Sequence, residues 1–475
     1  MYPDLQLYID GEWLSGGGRK TEDVLNPATG KVLASLPHAT KADLDRALAA
    51  AAKGFASWRI LSAYERSKAM RKAADLVRER ADDLARIMTQ EQGKPFAEAR
   101  AEILGSADII DWMAEEGRRA YGRIVPGRGR NVRQIVVQEP VGVVAGFSPW
   151  NFPALTPVRK IAGALAAGCA IVLKAAEETP GSAVELVRCF HDAGLPKGVL
   201  NLVFGIPSEV SQHLIASDIV KKISFTGSVP IGKLLAGLAA QGMKRATMEL
   251  GGHSPVVVFD DADPEKTADL IAAFKYRNAG QVCISPTRFY VQDGVYQRFL
   301  SRFTDYAQRL KLGDGLDKDT TMGPLANPRR LDAMEAFVND AKERGGTIAT
   351  GGKRRGNQGY FFEPTVISDL PDDCRIMTEE PFGPLAPIVR FKSFDEVVER
   401  ANALPYGLAS YAFTSSARTA TLIGDALQSG MVGVNSVAVS TPETPFGGIK
   451  ESGYGQEGGI EGLEAYTNRK FISQG

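Results

Sequence analysis

The stretch MELGGHSPVVVFDDADPEKTADLIAAFKYRNAGQVCI, residues 248–284, sets the reading of the whole chain. It opens with a carboxylate, Glu249, beside Gly251-Gly252, where backbone can approach closely. An apolar strand-like run, Pro255 to Phe259, is followed by a helix-like run from Pro264 to Tyr276. The stretch ends on Cys283, set among small residues in Asn-Ala-Gly-Gln-Val-Cys. One strand–helix excursion can therefore bring a thiol and a carboxylate together, which suits a thiol nucleophile and a base that activates water. The plainer alternative is a buried structural cysteine and an ordinary surface glutamate.

Outward from this stretch, strand–helix alternation governs the chain. The runs Val141–Phe147, Ala170–Lys174, Val199–Phe204, Lys222–Phe225 and Ala246–Leu250 read as strands. Pro157–Ala167, Ser182–Ala193, Ser208–Ala216 and Pro230–Ala240 read as the helices between them. That order predicts an α/β fold with a parallel sheet covered on both faces. Strands near Phe289–Val291, Thr365–Ile367, Ala386–Phe391 and Ala409–Phe413 continue the pattern less regularly. Before it lie strands at Leu5–Trp13, turned at Asp10-Gly11, and at Val32–Leu36, then helical territory from Lys41 to Tyr121. In that territory Met70, Ala73, Val77, Ala81, Leu84 and Met88 form an apolar stripe read as core packing. Gln134–Gln138 reads as an extended arm. With no internal repeat or long linker, two interdigitated α/β domains are expected.

The chain has 475 residues, 56 basic and 56 acidic, so its formal net charge is zero. That balance disfavours a broad electrostatic surface for nucleic acid or an anionic membrane. Cys169, Cys189, Cys283 and Cys374 lie far apart, with neither CxxC nor zinc spacing, so no metal is expected and a reducing, cytoplasmic setting is the simplest. The start, MYPDLQLYIDGEW, lacks the basic-then-apolar form of a signal peptide. The most apolar window, Ile161 to Leu173, is too short to span a bilayer.

Phe225-Thr-Gly-Ser-Val-Pro-Ile-Gly-Lys233 ends a strand and opens a helix, as a phosphate cradle requires. Gly227 to Lys233 also satisfies most of a P-loop pattern. Leu234, however, stands where that motif needs a Mg²⁺-binding hydroxyl, and Pro230 removes an N–H from the loop. The GxGxxG fingerprint is absent from the strand–helix junctions of the first 250 residues. Lys174 and Glu177, just past a strand's carboxyl end, could instead hold both hydroxyls of a ribose. An acid there would repel a 2′-phosphate, favouring NAD over NADP. Ser148-Pro-Trp-Asn-Phe-Pro153 holds Trp150 and Asn151 on a loop stiffened by two prolines, and a fixed Asn amide is a good oxyanion donor.

Together these pieces resemble the aldehyde dehydrogenase superfamily over essentially the whole chain. The matching motifs are Pro149-Trp-Asn-Phe-Pro153, Lys174-Ala-Ala-Glu177, Phe225-Thr-Gly-Ser228, Glu249-Leu-Gly-Gly252, Gly280-Gln-Val-Cys283, Glu380-Pro-Phe-Gly-Pro384 and Pro445-Phe-Gly-Gly448. The resemblance implies a Rossmann-type dinucleotide-binding domain over 1–121 and 139–251, and a catalytic domain over 252–440. It also implies an oligomerisation arm from 122–138 and 463–475, and hence a homodimer or homotetramer. It makes Cys283 the nucleophile and Glu249 the general base. Asn151, with the Cys283 N–H, would form the oxyanion site, and Lys160 matches a family lysine nearby. For NAD, with NADP as the alternative, it implies Lys174 and Glu177 at the adenosine ribose and Gly227-Ser228 beneath the diphosphate, Ser228 capping the helix. Trp150 would lie beside the cofactor, Glu380 at the nicotinamide ribose and Phe382 against the ring. Ala175 and His253 depart from the commoner family residues, proline at the first and lysine or asparagine at the second.

Arg159, Arg277 and Ser440 match the carboxylate-holding positions of succinate-semialdehyde dehydrogenases. The expected reaction is oxidation of succinate semialdehyde to succinate through a thiohemiacetal and a thioester. Glutarate or α-ketoglutarate semialdehyde, or a broad range of aldehydes, are the alternatives. Ser285 stands where one type of these enzymes carries a second, redox-sensing cysteine, so that switch should be missing. A free thiol is mostly protonated at neutral pH, so the site is expected to favour thiolate through dipoles or a base. Two other classes compete: a cysteine hydrolase, which would want a histidine partner for Cys283, and a noncatalytic crystallin-like homologue.

Overall fold

Two parallel sheets, each built by the strand–helix alternation, meet along one cavity. A computed structural model of the chain describes residues 2–475; Met1, at the head of both the leader reading and the 1–121 range, lies outside them. The first sheet has eight strands, in the order Gly453–Tyr454, Arg245–Leu250, Val220–Gly227, Val143–Phe147, Ala170–Lys174, Leu200–Val203, Leu7–Ile9 and Glu12–Leu14. The four inner pairings from Arg245–Leu250 to Leu200–Val203 are parallel, and the flanking strands pair antiparallel. After the edge strands Leu7–Ile9 and Glu12–Leu14, the parallel part starts in the middle, at Val143–Phe147, builds outward to one side, then returns and builds to the other. The carboxyl ends of Val143–Phe147 and Val220–Gly227 thus diverge at a topological switch point, where a doubly wound sheet leaves a crevice for ligand.

The second sheet runs Thr347–Thr350, Thr365–Ser368, Leu385–Phe391, Pro286–Gln292, Ser254–Val258, Ala409–Phe413 and Met431–Val434, with Thr347–Thr350 antiparallel. Each sheet has its own buried apolar cluster. One draws on Leu5 to Leu250 plus Leu463 and Tyr466, the other on Val256 to Phe446. The crossing falls at Gly251–His253, inside the stretch read first. Gly453–Tyr454, from a segment assigned to no domain by sequence, returns to edge the first sheet. Arg123–Pro126, Arg133–Pro140 and Thr467–Gln474 form a separate three-stranded sheet.

The stripe from Met70 to Met88 is buried as expected. It spans two helices, Ala63–Glu79 and Ala81–Gln92, which break at Arg80 (φ −95°, ψ 12°). A capping box of Ser62 and Glu65 starts the first of these, and Asp263 caps Pro264–Tyr276. No helix among the described residues is long and apolar enough to cross a membrane, and no cluster of three or more metal-ligating side chains occurs there.

Candidate active site

A cavity of about 920 Å³ opens between the two sheets. Its first wall is the loop after Val143–Phe147 and the buried helix Leu155–Ala167 that follows. Asn151 is 4 % exposed, and its Nδ2 donates to the Gln281 carbonyl at 3.1 Å. Asn278 Nδ2 donates in turn to the Asn151 carbonyl at 2.9 Å. The two loops are thereby locked to each other, leaving one amide hydrogen of Asn151 free.

The helix presents Arg159 to the cavity. Its Nη2 donates to Ser440 Oγ at 3.0 Å, and its guanidinium lies 4.6 Å from the centre of the Phe446 ring. Arg277 lines the same cavity, against Phe274 at 5.0 Å and Phe152 at 5.5 Å. Among the described residues neither arginine has an ion-pair partner, and the Nε of each is buried without a hydrogen-bond acceptor. Arg159 is buried and Arg277 half-buried, and an unpaired cation away from water is costly, so the pair is suited to an anionic group.

Lys160 is fully buried behind this wall, donating to Thr226 Oγ1 and Glu457 Oε1, both at 2.7 Å. Glu457, which also accepts from Ser224 Oγ at 3.0 Å, went unmarked in the sequence. A buried lysine demands a buried acid, but nothing local points 297 residues ahead to which one.

Glu249 ends the strand Arg245–Leu250 at the cavity, with both carboxylate oxygens buried and free of hydrogen bonds. Burial first, then the charge of Glu457, raises its pKa well above the carboxylate range, against the pull of Lys160 and Arg159. Cys283 follows a left-handed turn, Asn278 (φ 51°), Ala279 (φ 53°) and Gly280 (φ 73°). A Cβ on Gly280 would strike the Gly383 carbonyl. Burial, helped by Glu380 and Glu249, pushes the Cys283 thiol up to about 12, outweighing Arg159 and the Ile284 N–H. That direction, set by burial first and the two carboxyls after it, runs opposite to the expected preference for thiolate. No histidine lines the cavity among the described residues, so the hydrolase pattern lacks its base.

Gly227, Ser228, Trp150, Glu380 and Phe382 share this cavity. Ser228 occupies the N-cap position of Val229–Gln241, but its hydroxyl makes no cap bond. The expected capping bond is therefore not made; Pro230 takes away the N–H of the second helical position only, and that of Ile231 remains. The other first-turn N–H groups stay open toward an anion. Glu380 Oε1 accepts from the Gly252 N–H at 3.2 Å, and burial raises its carboxyl to about 7. Phe382 holds a left-handed φ of 45° and meets Trp150 edge-on, ring centres 5.6 Å apart. Arg330, unmarked in the sequence, donates to the carbonyls of Pro381 and Phe382 and fixes that turn. Lys174 and Glu177 form an ion pair off the main cavity, with Glu177 facing a smaller cleft of about 340 Å³ beside Ile206 and Pro207.

The aldehyde dehydrogenase family profile matches residues 13–472. The chain belongs to the aldehyde dehydrogenase family. It is 46 % identical over 472 residues to the 4-(hydroxymethyl)benzenesulfonate dehydrogenase TsaD1 of Comamonas testosteroni, covering 99 % of this chain and 98 % of that one. It is 45 % identical to a glutarate-semialdehyde dehydrogenase of Pseudomonas putida, over 98 % of this chain and 97 % of the relative. It is 44 % identical to an NADP(+) succinate-semialdehyde dehydrogenase of Escherichia coli, over 99 % and 98 %. Among solved structures, the succinate-semialdehyde dehydrogenase of Burkholderia pseudomallei superimposes with a TM-score of 0.97 at 43 % identity, over 99 % and 98 % of the two chains. The expected family and α/β fold are therefore right. NADP-using relatives leave the expected preference for NAD undecided.

Proposed function

We propose that this aldehyde dehydrogenase oxidises an aldehyde bearing a distal carboxylate, succinate semialdehyde first and glutarate semialdehyde next, with NAD preferred. The observation that carries the reading is the pair of unpaired guanidiniums, Arg159 braced by Ser440 and Arg277 braced by two rings, in the cavity that holds Cys283. The open helix start at Gly227-Ser228 and the Lys174–Glu177 pair suit a dinucleotide, and the Glu177 carboxylate opposes a 2′-phosphate. When bound, that cofactor supplies the hydride acceptor. Trp150, Glu380 and Phe382 would hold its nicotinamide half.

In this reading the semialdehyde's carboxylate sits on Arg159, Ser440 and Arg277, which delivers the carbonyl to Cys283. Sulfur adds to the carbonyl carbon and gives up its proton to a nearby base, the role assigned to Glu249. The free Asn151 amide hydrogen and the Cys283 N–H stabilise the resulting oxyanion. Loss of hydride leaves a thioester on Cys283. Glu249 passes the thiol proton to solvent and then takes one from water, whose oxygen attacks the thioester; the acid is released and the proton returns from Glu249 to the Cys283 sulfur. The four cysteines are free of disulfides and Ser285 is buried beside the nucleophile loop, which suits a cytoplasmic enzyme without the two-cysteine switch. The arm leaves Ile124 71 % and Phe471 58 % exposed, surfaces a second copy would cover in a homodimer or homotetramer.

A second reading is an aromatic aldehyde bearing a sulfonate, favoured by the Comamonas relative and by Phe152, Phe274 and Phe446 around the same two arginines. The test is NADH or NADPH formation with succinate semialdehyde, glutarate semialdehyde, 4-formylbenzenesulfonate and butanal. The proposal expects kcat/KM to rank the carboxylated substrates first and butanal last; equal rates for butanal would remove the anion cradle from the account.

A further inference from the structure

The segment Gln92-Gly-Lys-Pro-Phe-Ala-Glu-Ala-Arg-Ala-Glu102 has no part in the chemistry above, yet it reaches both walls of the cavity. Lys94 and Glu102 form an ion pair at 2.6 Å, with side chains 1 % and 2 % exposed. Lys94 Nζ also donates to the Asn151 carbonyl at 2.8 Å and lies 4.2 Å from the centre of the Phe152 ring. The other Glu102 oxygen accepts from the N–H groups of Ala154 and Leu155, at 2.9 and 3.1 Å. Those groups open the helix that carries Arg159 and Lys160, whose N-cap residue Ala154 offers no side-chain acceptor. On the opposite wall, Gln92 Nε2 donates to Asn278 Oδ1 at 2.7 Å, and Glu98 accepts from the Asn278 N–H at 2.8 Å.

We propose that Lys94 and Glu102 are positioning residues for the reaction, clamping the Asn151 backbone and the start of the helix behind it so that the Asn151 amide is aimed at the oxyanion. The proposal goes beyond the function stated above and rests on its assignment of Asn151. Stability alone is a poor reason for the pair, because a fully buried ion pair generally stabilises no more than apolar residues of the same volume. Geometry is a better one. An oxyanion donor loses most of its effect when displaced by a fraction of an ångström, and a carbonyl held by Lys94 and Asn278 at once has no freedom to drift.

The test compares Lys94→Met, Asn151→Ala and the double variant by the rate of the first-turnover NADH burst with succinate semialdehyde, alongside NAD affinity and thermal melting. Lys94→Met is expected to slow the burst by at least about tenfold with NAD affinity held, and to change it less than about threefold when Asn151 is already alanine. An undiminished loss on the Asn151→Ala background, or an unchanged burst in Lys94→Met, overturns the proposal. A normal burst in Asn151→Ala alone refutes the oxyanion assignment, and the positioning role falls with it. If Lys94→Met does not fold, Glu102→Gln takes its place in the same cycle: it keeps an oxygen for Ala154 and Leu155 but removes the charge partner of Lys94. A wild-type burst in Glu102→Gln would equally overturn the proposal.

Discussion

The two walls of the cavity are held in opposite ways. On the wall from the first core, Arg159 and Lys160 sit on a regular helix, Asn151 on the loop that leads into it, and all three are fixed by side-chain hydrogen bonds. On the wall from the second core the backbone itself is bent. Asn278, Ala279 and Phe382 all take left-handed conformations that non-glycine residues rarely adopt, and they flank Cys283 and Glu380. Polar networks hold groups that must stay charged or aimed. Backbone strain presents a nucleophile and a ring at sharp turns. Substitutions on the first wall should therefore change how well a step is catalysed, and those on the second wall whether it occurs.

The largest effect tests that division directly. Cys283→Ala should abolish aldehyde oxidation, because among the described residues no other thiol lines the cavity; residual turnover above about one part in 10⁴ would move the nucleophile elsewhere. On the first wall, Asn151→Ala should lower turnover by roughly 10²–10³ while NAD binding persists, the usual cost of one oxyanion donor. Wild-type turnover in that variant would break the comparison.

Arg159→Met should lower kcat/KM for succinate semialdehyde by about 10- to 100-fold, the range of a lost charge-assisted hydrogen bond, and leave butanal within about threefold. Equal losses on both substrates would mean that Arg159 braces the helix rather than the substrate. Glu457→Gln is subtler. Glu457 raises the Glu249 pKa, and a base works only above its pKa, so removing that charge should shift the acid limb of thioester hydrolysis to lower pH. The shift to lower pH is expected in pre-steady-state deacylation rates, with Lys160 retaining Thr226 as an acceptor. An unchanged acid limb, or a shift to higher pH, would show that the Glu457 charge does not raise the Glu249 pKa.

The same contrast explains what could be read in advance. Ala170–Lys174 and Pro264–Tyr276 form with the boundaries expected, because sharp signals bound them: Gly168 before the strand, and Asp263-Pro264 at the helix start. The hairpin strand Thr21–Leu25 was missed, since Thr-Glu-Asp-Val-Leu buries only Val24 and has no apolar period to detect. The break at Arg80 was missed because the apolar stripe runs through it unchanged. At the site, residues embedded in local motifs were legible: Cys283, Glu249, Asn151 and Glu380. Residues defined by long-range contacts were not. Glu457, Arg330, Lys94 and Glu102 take their meaning from partners 51 to 297 residues away. The upward shift of the Cys283 thiol was equally hidden, because it comes first from burial between the two cores and then from Glu380, which arrives from another segment.

The smallest effect probes the strain itself. In an ordinary buried helix position such as Ala272, Ala→Gly should cost about 1 kcal/mol or more, from backbone entropy and the lost methyl. At Ala279 the same entropy and methyl losses apply, but glycine accepts φ 53° without steric penalty, and relief of about 1–2 kcal/mol offsets them. Ala279→Gly should therefore leave stability within about 1 kcal/mol of wild type, against a clear loss for Ala272→Gly, measured by urea denaturation of both variants. Equal losses would mean that the turn before Cys283 stores no strain. The second wall would then be held, like the first, by hydrogen bonds alone, principally those of Asn278 and Gln281.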